Sequence, residues 1–194
     1  MSFDPLAPPP SRLEGVLKAL WANLEGCTRS PGHPWRTPVI ATQAQDRASA
    51  RIVVLRSAAR RNRTLEFHTD SRSPKITQLQ QNPVVEWVFY DPTLQMQVRA
   101  RATARIHSGD RIAANAWKRV PPASYLNYLA NTPPGSDLSP RDAASSQSQL
   151  SHPAFAVVLT KLDHLDWLWL HPKGHRRARF TWHLNRWVGE WIQP

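Results

Sequence analysis

Cysteine is almost missing from this chain: Cys27 is the single example among 194 residues, so no intrachain disulfide can form and no multi-cysteine metal site exists. Glycine is scarce as well. There are seven, and none is arranged as the fingerprint loop that wraps a nucleotide phosphate. Apolar runs are short, as at Ile52 to Leu55 and Ala156 to Leu159, far below the roughly 20 residues that cross a bilayer. The Pro-rich start has neither the cationic nor the apolar region of a signal peptide. These absences lead to the expectation of a globular, cytoplasmic protein of a reducing compartment with no membrane contact. Acid is the last shortage: 14 Asp and Glu stand against 25 Lys and Arg, a formal charge of +11. That excess calls for an anionic partner. The cations are spread along the chain as well as clustered at Arg60-Arg61-Asn62-Arg63 and His175-Arg176-Arg177-Ala178-Arg179, so a basic nucleic-acid-binding barrel is the less favoured reading and a solvated basic surface competes with it.

What is present suffices for a core. With 41% hydrophobic residues and nine Trp, a single domain over residues 11–194 is expected after a flexible tail at 1–10. Ser11 and Glu14 read as a capping box before Leu13, Val16, Leu17, Leu20, Trp21 and Leu24, a stripe at helical spacing. Strands are expected at 38–42 and 52–55, the second pairing with 64–69. Ser73 and Pro74 predict a helix start, Asn82-Pro83 its stop, and a strand over 84–90 follows. From Leu94 the chain alternates: Met96, Val98, Ala100 and Ala102 on one side, Gln97, Arg99, Arg101 and Thr103 on the other. That pattern predicts a long half-buried strand. Helices are expected from Asp110 through Lys118 and from Ser124 through Asn131, a long loop over 133–153, and strands at 154–160, 165–170, 178–182 and 187–192. Six or more strands in mainly hairpin order argue for an antiparallel barrel with helices.

Several features could carry chemistry. The Ser73-Pro74-Lys75 helix start offers unpaired N–H groups, a dipole and a cation, a ready anion site; an ordinary helix cap is the plain alternative. Arg51, Arg56 and Thr69 raise the interest of that start, because strand pairing would gather them near it. Gln97 can hydrogen-bond a flat heterocycle with both ends of its amide, or simply face water. The tryptophans at 167, 169, 182, 187 and 191 suit a core or an interface better than a ligand stack. His171 and His175 have a metal-like spacing, but Pro172 and Gly174 favour a turn there, and no metal is expected.

The ordered set Arg51-Ile-Val-Val-Leu-Arg56, Phe67-His68-Thr69, Ser71-Arg72-Ser73-Pro74-Lys75, Asn82-Pro83, Gln97-Val98-Arg99 and Arg179-Phe180 resembles the pyridoxamine 5′-phosphate oxidase-related family of FMN-binding split β-barrels. The resemblance implies a mainly β homodimer with helices, built as an antiparallel split barrel with FMN at the subunit interface. It implies that Arg51 and Lys75 hold the FMN phosphate with Ser73 nearby, that Ile52, Val53, Val54 and Leu55 line the ring, and that His68, Thr69 and Arg56 stand at the ring and its substrate side. Gln97 and Arg179 would come from the neighbouring subunit. The activity implied is oxidoreduction of a small molecule, with a vitamin B6 phosphate as one candidate and Arg56, Ser124, His175 and Arg177 as substrate anchors. Departures bear on that activity: Ala116 and Val120 replace the family's tyrosine and arginine for the substrate phosphate, His175-Arg176-Arg177 inverts its Arg-x-His pair, and Pro74 replaces an arginine for which Arg72 could substitute. The family's stacking tryptophan falls on Leu165 or Trp169, depending on the alignment. A non-catalytic flavin-binding or flavin-sensing protein is the alternative.

Overall fold

The computed structural model describes residues 10–137, 153–172 and 174–194. Most of the expected 133–153 loop, and the tail at 1–9, lie outside them. The described residues form helix α1 (Leu13–Cys27), strands β1 (Val39–Ala44), β2 (Arg47–Ile52), β3 (Leu55–Ala59) and β4 (Thr64–Asp70), helix α2 (Pro74–Gln81), strands β5 (Val84–Asp91) and β6 (Met96–His107), helices α3 (Arg111–Trp117) and α4 (Leu126–Leu129), and strands β7 (Phe155–Trp169), β8 (Arg176–His183) and β9 (Arg186–Ile192). All nine strands join one antiparallel sheet in the order β2-β1-β5-β6-β7-β4-β3, with β8 and β9 continuing from β7. No helix among the described residues is long and apolar enough to cross a membrane.

The two faces of the sheet differ because strand side chains alternate. The cross-strand row Ile40, Trp87, Ala100, Leu165 and Phe180 points inward, and every member is at most 1% exposed. Ala100 leaves space for the indole of Trp87, which stacks on Phe89 and meets Phe67 edge-on. The Trp87 indole N–H donates to Thr160 Oγ1 at 3.1 Å, and that hydroxyl donates to the Leu65 carbonyl at 3.1 Å, so the buried polar atoms are matched. At the end of the row, Gly189 lies against Phe180, where an added Cβ would come within 2.7 Å of the ring. The apolar stripe of α1 (Val16, Leu20, Trp21, Leu24) covers this core. Cys27 lies in it too, and burial pushes its thiol up to about 11, which keeps it un-ionised and inert.

Four local expectations need correction. The capping box does not form: α1 starts after Arg12, with no side-chain cap. The run 51–56 is not one strand paired with 64–69; it breaks at Val53 and Val54, so that Arg51 belongs to β2 opposite Ile40 while Leu55 opens β3 opposite Phe67. The two strands expected at 154–160 and 165–170 are one continuous β7, because β6 pairs with it from Val157 to Trp169 on one side, while β4 (to residues 155–161) and then β8 (to residues 164–169) follow each other on the other. Finally, the helix expected over 124–131 is reduced to a short 3₁₀ turn at Pro122–Ser124 and the four residues of α4.

Candidate cofactor site

The break between β2 and β3 leaves Arg51 at the end of its strand, with its side chain on the inner side of the sheet near the start of α2. The guanidinium donates from Nη1 to Thr42 Oγ1 at 2.6 Å and from Nη2 to Ser49 Oγ at 2.6 Å and Gln78 Oε1 at 3.1 Å. Lys75, one residue inside α2, donates from Nζ to Ser73 Oγ at 2.6 Å and Thr69 Oγ1 at 3.0 Å. The structure therefore brings Arg51, Thr69, Ser73 and Lys75 together. Ser73 occupies the helix N-cap, yet its hydroxyl serves Lys75 and caps no backbone N–H.

The electrostatics of this cluster are unusual. Both cations are partly buried, and all their hydrogen-bond partners are neutral oxygens. Among the described residues neither has a carboxylate within ion-pair distance, since the nearby acids are engaged elsewhere: Asp70 by Arg72 and Glu66 by His68. Burial, then the charge of Arg51, lowers the Lys75 pKa, with Asp70 opposing from further away. Burial also lowers the pKa of Arg51. Two half-desolvated cations that repel each other constitute a standing cost, which a bound anion would offset. The uncapped first turn of α2 adds dipole and N–H groups of the right sign. This donor set fits a phosphate group.

The other residues singled out in the sequence lie elsewhere. Gln97, Arg177 and Arg179 sit on the outer face of the sheet, across which Ile52, Val39, Val88, Arg99, Asp166 and Arg179 form one row. Gln97 is opposite Tyr90 and Leu168 in the next row. Arg177 forms two hydrogen bonds with Asp166 at 2.9 and 2.7 Å, and Arg179 pairs with Glu190. Ile52 and Tyr90 on this face are 68% and 48% exposed. Val53 and Leu55 are buried, and the Val53 N–H donates to the Pro38 carbonyl. Arg56 reaches the phenol of Tyr128, and its buried Nε has no hydrogen-bond partner among the described residues. His68 bonds Glu66 at 2.9 Å beneath the α3–α4 layer and stacks edge-on with Phe155. Ser124 lies in the turn before α4. His175 Nδ1 accepts the His171 N–H at 3.0 Å, a turn contact. Ala116 and Val120 are buried in an apolar cluster with Tyr128 and Phe155. Trp169, one of the two positions weighed for stacking, lies against His171 at 4.4 Å between centroids, whereas Leu165 is core.

Sequence reasoning missed Thr42, Ser49 and Gln78, which fix the Arg51 head group. Gln78 had a usable signal, because it lies three residues after Lys75 on the same helix face. Thr42 and Ser49 had none before the β1–β2 register was known, where they are directly paired.

Comparison with known proteins places this geometry. Residues 18–108, which span β1 to β6 and the whole cation cluster, match the family described as "Pyridoxamine 5'-phosphate oxidase, FMN-binding domain". A pyridoxine/pyridoxamine 5'-phosphate oxidase of Psychrobacter arcticus is 28% identical over 75% of this chain and 66% of its own length. Its counterpart in Psychrobacter cryohalolentis is 27% identical over 66% of this chain and 59% of its own length. The chain thus matches somewhat less than two thirds of these curated relatives. The crystal structure of a pyridoxamine 5'-phosphate oxidase-related, FMN binding protein from Nostoc punctiforme superposes with a TM-score of 0.77, 25% identity and full coverage of both chains. These findings all indicate one family. It is the pyridoxamine 5′-phosphate oxidase-related FMN-binding family. PhzG from Burkholderia lata, solved with tetrahydrophenazine-1-carboxylic acid, has the same fold at 19% identity and a TM-score of 0.71, covering 100% of this chain and 98% of that one. The family fold also serves other ligands, since a heme binding protein from Mycobacterium smegmatis shares it at 14% identity and a TM-score of 0.50, over 82% of this chain and 57% of that protein.

Proposed function

We propose that the protein is a homodimeric FMN-dependent oxidoreductase acting on a small molecule. The observation that carries this reading is the pair Arg51 and Lys75, two half-buried cations held by neutral oxygens with no carboxylate within ion-pair distance among the described residues. Arg51, Lys75 and Ser73 would hold the cofactor phosphate, with Thr69 and Gln78 orienting the two cations. Bound FMN supplies reversible hydride transfer, and the protein supplies position, charge and exclusion of water. Cofactor phosphate and cofactor ring are then read by different parts of the sheet. The cradle lies on the inner side, while Gln97 and Arg179 lie on the outer face; a second copy docked through that face would carry them to the first copy's cofactor. The exposed Ile52, Val84, Tyr90 and Val188 on the outer face supply apolar area for such docking.

The substrate reading follows the curated relatives only in class. A vitamin B6 phosphate would be anchored by Arg56, Ser124 and Arg177; His175, engaged with His171, lies in the turn before β8. Burial of Ala116 and Val120 in an apolar cluster favours a second reading, a flavin-binding protein that does not turn over a phosphorylated vitamer. An absorbance spectrum of the purified protein tests the cofactor, and flavin bands are expected. A colourless protein that takes up no added FMN rejects the proposal. Formation of pyridoxal phosphate from either vitamer in air separates the oxidase from the second reading, and sedimentation gives the mass of the assembly.

A further inference from the structure

Arg72, which the sequence offers as a substitute phosphate ligand, is occupied differently. Its Nε and Nη2 donate to the two oxygens of the Asp70 carboxylate at 3.1 and 2.7 Å, and Nη2 and Nη1 donate to the carbonyls of Ala130 and Asn131 at 2.7 and 2.8 Å. Asp70, only 5% exposed, also accepts the backbone N–H of Arg72 at 2.7 Å. Four of the five guanidinium N–H groups are thereby used. Unlike Arg51 and Lys75, this cation already has its counter-charge. The two carbonyls lie just past α4, where the short helix cannot satisfy them itself.

The segment so gripped carries Tyr128. Its ring is buried edge-on against Trp117 and Phe155, and the Ala154 N–H donates to its carbonyl at 2.7 Å. Burial pushes the phenol pKa up, while the charge and hydrogen bond of Arg56 pull it back. Arg56 has no carboxylate within ion-pair distance among the described residues, and its buried Nε is unmatched. At the other end of the strut, the Ser73 N–H donates to the Asp70 carbonyl at 3.1 Å, and Ser73 in turn accepts from Lys75. One guanidinium thus ties the turn leading into the phosphate cradle to the segment that covers Arg56.

We propose that Arg72 is a positioning residue that holds residues 126–131 against the β4–α2 turn, so that Tyr128 closes over Arg56 and forms an anion-receptive wall separate from the Arg51–Lys75 cradle. The inference goes beyond the cofactor reading and rests on it only for one control. Arg72→Gln and Arg72→Lys test it, compared with Lys75→Ala and with Tyr128→Phe, which identifies the Tyr128 phenolate signal in a pH titration. In Arg72→Gln the Tyr128 ionisation is expected to move down toward that of an ordinary tyrosine, and amides of 126–131 to exchange about tenfold faster or more while those of 76–81 are unchanged. The ratio of FMN to riboflavin affinity stays within about twofold of wild type in both Arg72 variants and collapses in Lys75→Ala. A collapse of that ratio in the Arg72 variants makes Arg72 a phosphate ligand and overturns the proposal. An unmoved Tyr128 titration with unmoved exchange overturns it equally. Should Arg72→Gln not fold, Arg72→Lys, which keeps the charge against Asp70 but cannot span both carbonyls, gives the same readouts. Should wild type bind no FMN, the cofactor reading fails alone, and the titration and exchange still decide the strut.

Discussion

Replacing Lys75 by Ala separates recognition of the cofactor phosphate from recognition of its ring. Lys75 Nζ has three protons, two of which point at Ser73 and Thr69, and no carboxylate among the described residues pairs with its charge. A charge-assisted hydrogen bond to phosphate contributes about 1.5–3 kcal/mol, so FMN affinity should fall about 10- to 150-fold. Arg51→Ala should cost a similar amount. The double variant should lose at least the sum, because removing Arg51 alone relieves the depression of Lys75 and so masks part of its own loss. Riboflavin, with the same ring and no phosphate, should bind all three variants as it binds wild type. Titration by flavin fluorescence quenching measures both ligands. The folded apo-protein should not suffer at neutral pH. The unfolded chain keeps the Lys75 proton up to its ordinary 10.5, whereas the native state releases it earlier. Native stability therefore rises with pH only between the lowered pKa and 10.5, and below that window the buried charge is a constant penalty that Ala removes. By the same linkage, FMN affinity should decline with rising pH before 10.5 is reached, as Lys75 loses its charge. Equal losses for FMN and riboflavin, or unchanged FMN affinity in both single variants, would refute the assignment of the phosphate to this pair.

The remaining expectations concern the frame around the cradle. Burial alone would raise the Asp166 carboxyl, but the hydrogen bonds from Arg177, then the charges of Arg177 and Arg99, hold it below the usual range; its contribution is present above the ordinary Asp pKa and is lost as pH falls through the lowered one. Asp166→Asn should therefore flatten the acid limb of the stability–pH curve measured by urea unfolding. Thr160→Val leaves the Trp87 N–H and the Leu65 carbonyl without their partner and should cost about 1–3 kcal/mol with an unchanged denaturant slope. Gly189→Ala forces a Cβ within 2.7 Å of Phe180, an overpacking that should cost about 1–3 kcal/mol in the same assay. Tyr90→Lys puts a charge beside Gln97 on the exposed outer face; sedimentation should show a monomer that has lost affinity for FMN and riboflavin alike. A dimer of unchanged mass, or a monomer with full ring affinity, would count against that face as the interface.

The helices and strands that could be read from the sequence were those whose pattern is local. The α1 stripe, the alternation of β6 and the Ser73-Pro74 start of α2 each follow from a period or a cap within one element, and each is found in place. The errors share a cause of the opposite kind. The β2–β3 break and the continuity of β7 are decided by partners distant in sequence: Ile40 for Arg51, and Thr64 to Asp70 together with Met96 to His107 for β7. Cations were visible as residue types, but their counter-charges were not. Arg72 and Lys75 are three positions apart and look alike in the sequence; one faces the Asp70 carboxylate and two carbonyls, the other only hydroxyls. That difference decides which of them is available to a ligand.

The register of the sheet also bears on how many copies a complete site needs. Directly opposed residues share a face, so the inward row through Ile40 and Trp87 includes Arg51, while the row one residue along, through Val39 and Val88, includes Arg99 and Arg179. Arg51 and Arg179 are therefore on opposite sides of one sheet, separated by the hydrogen-bonded layer of the sheet itself, whose inner side chains are packed to at most 1% exposure. No rotamer change passes a guanidinium through that layer. If Gln97 and Arg179 contact the same flavin that Arg51 and Lys75 bind, they must do so across an interface, with the outer face of one copy against the open cradle of another. Loss of ring affinity without loss of phosphate discrimination when that face is charged, and loss of phosphate discrimination without dissociation when Lys75 is removed, are then two separable signatures of one site assembled from two chains.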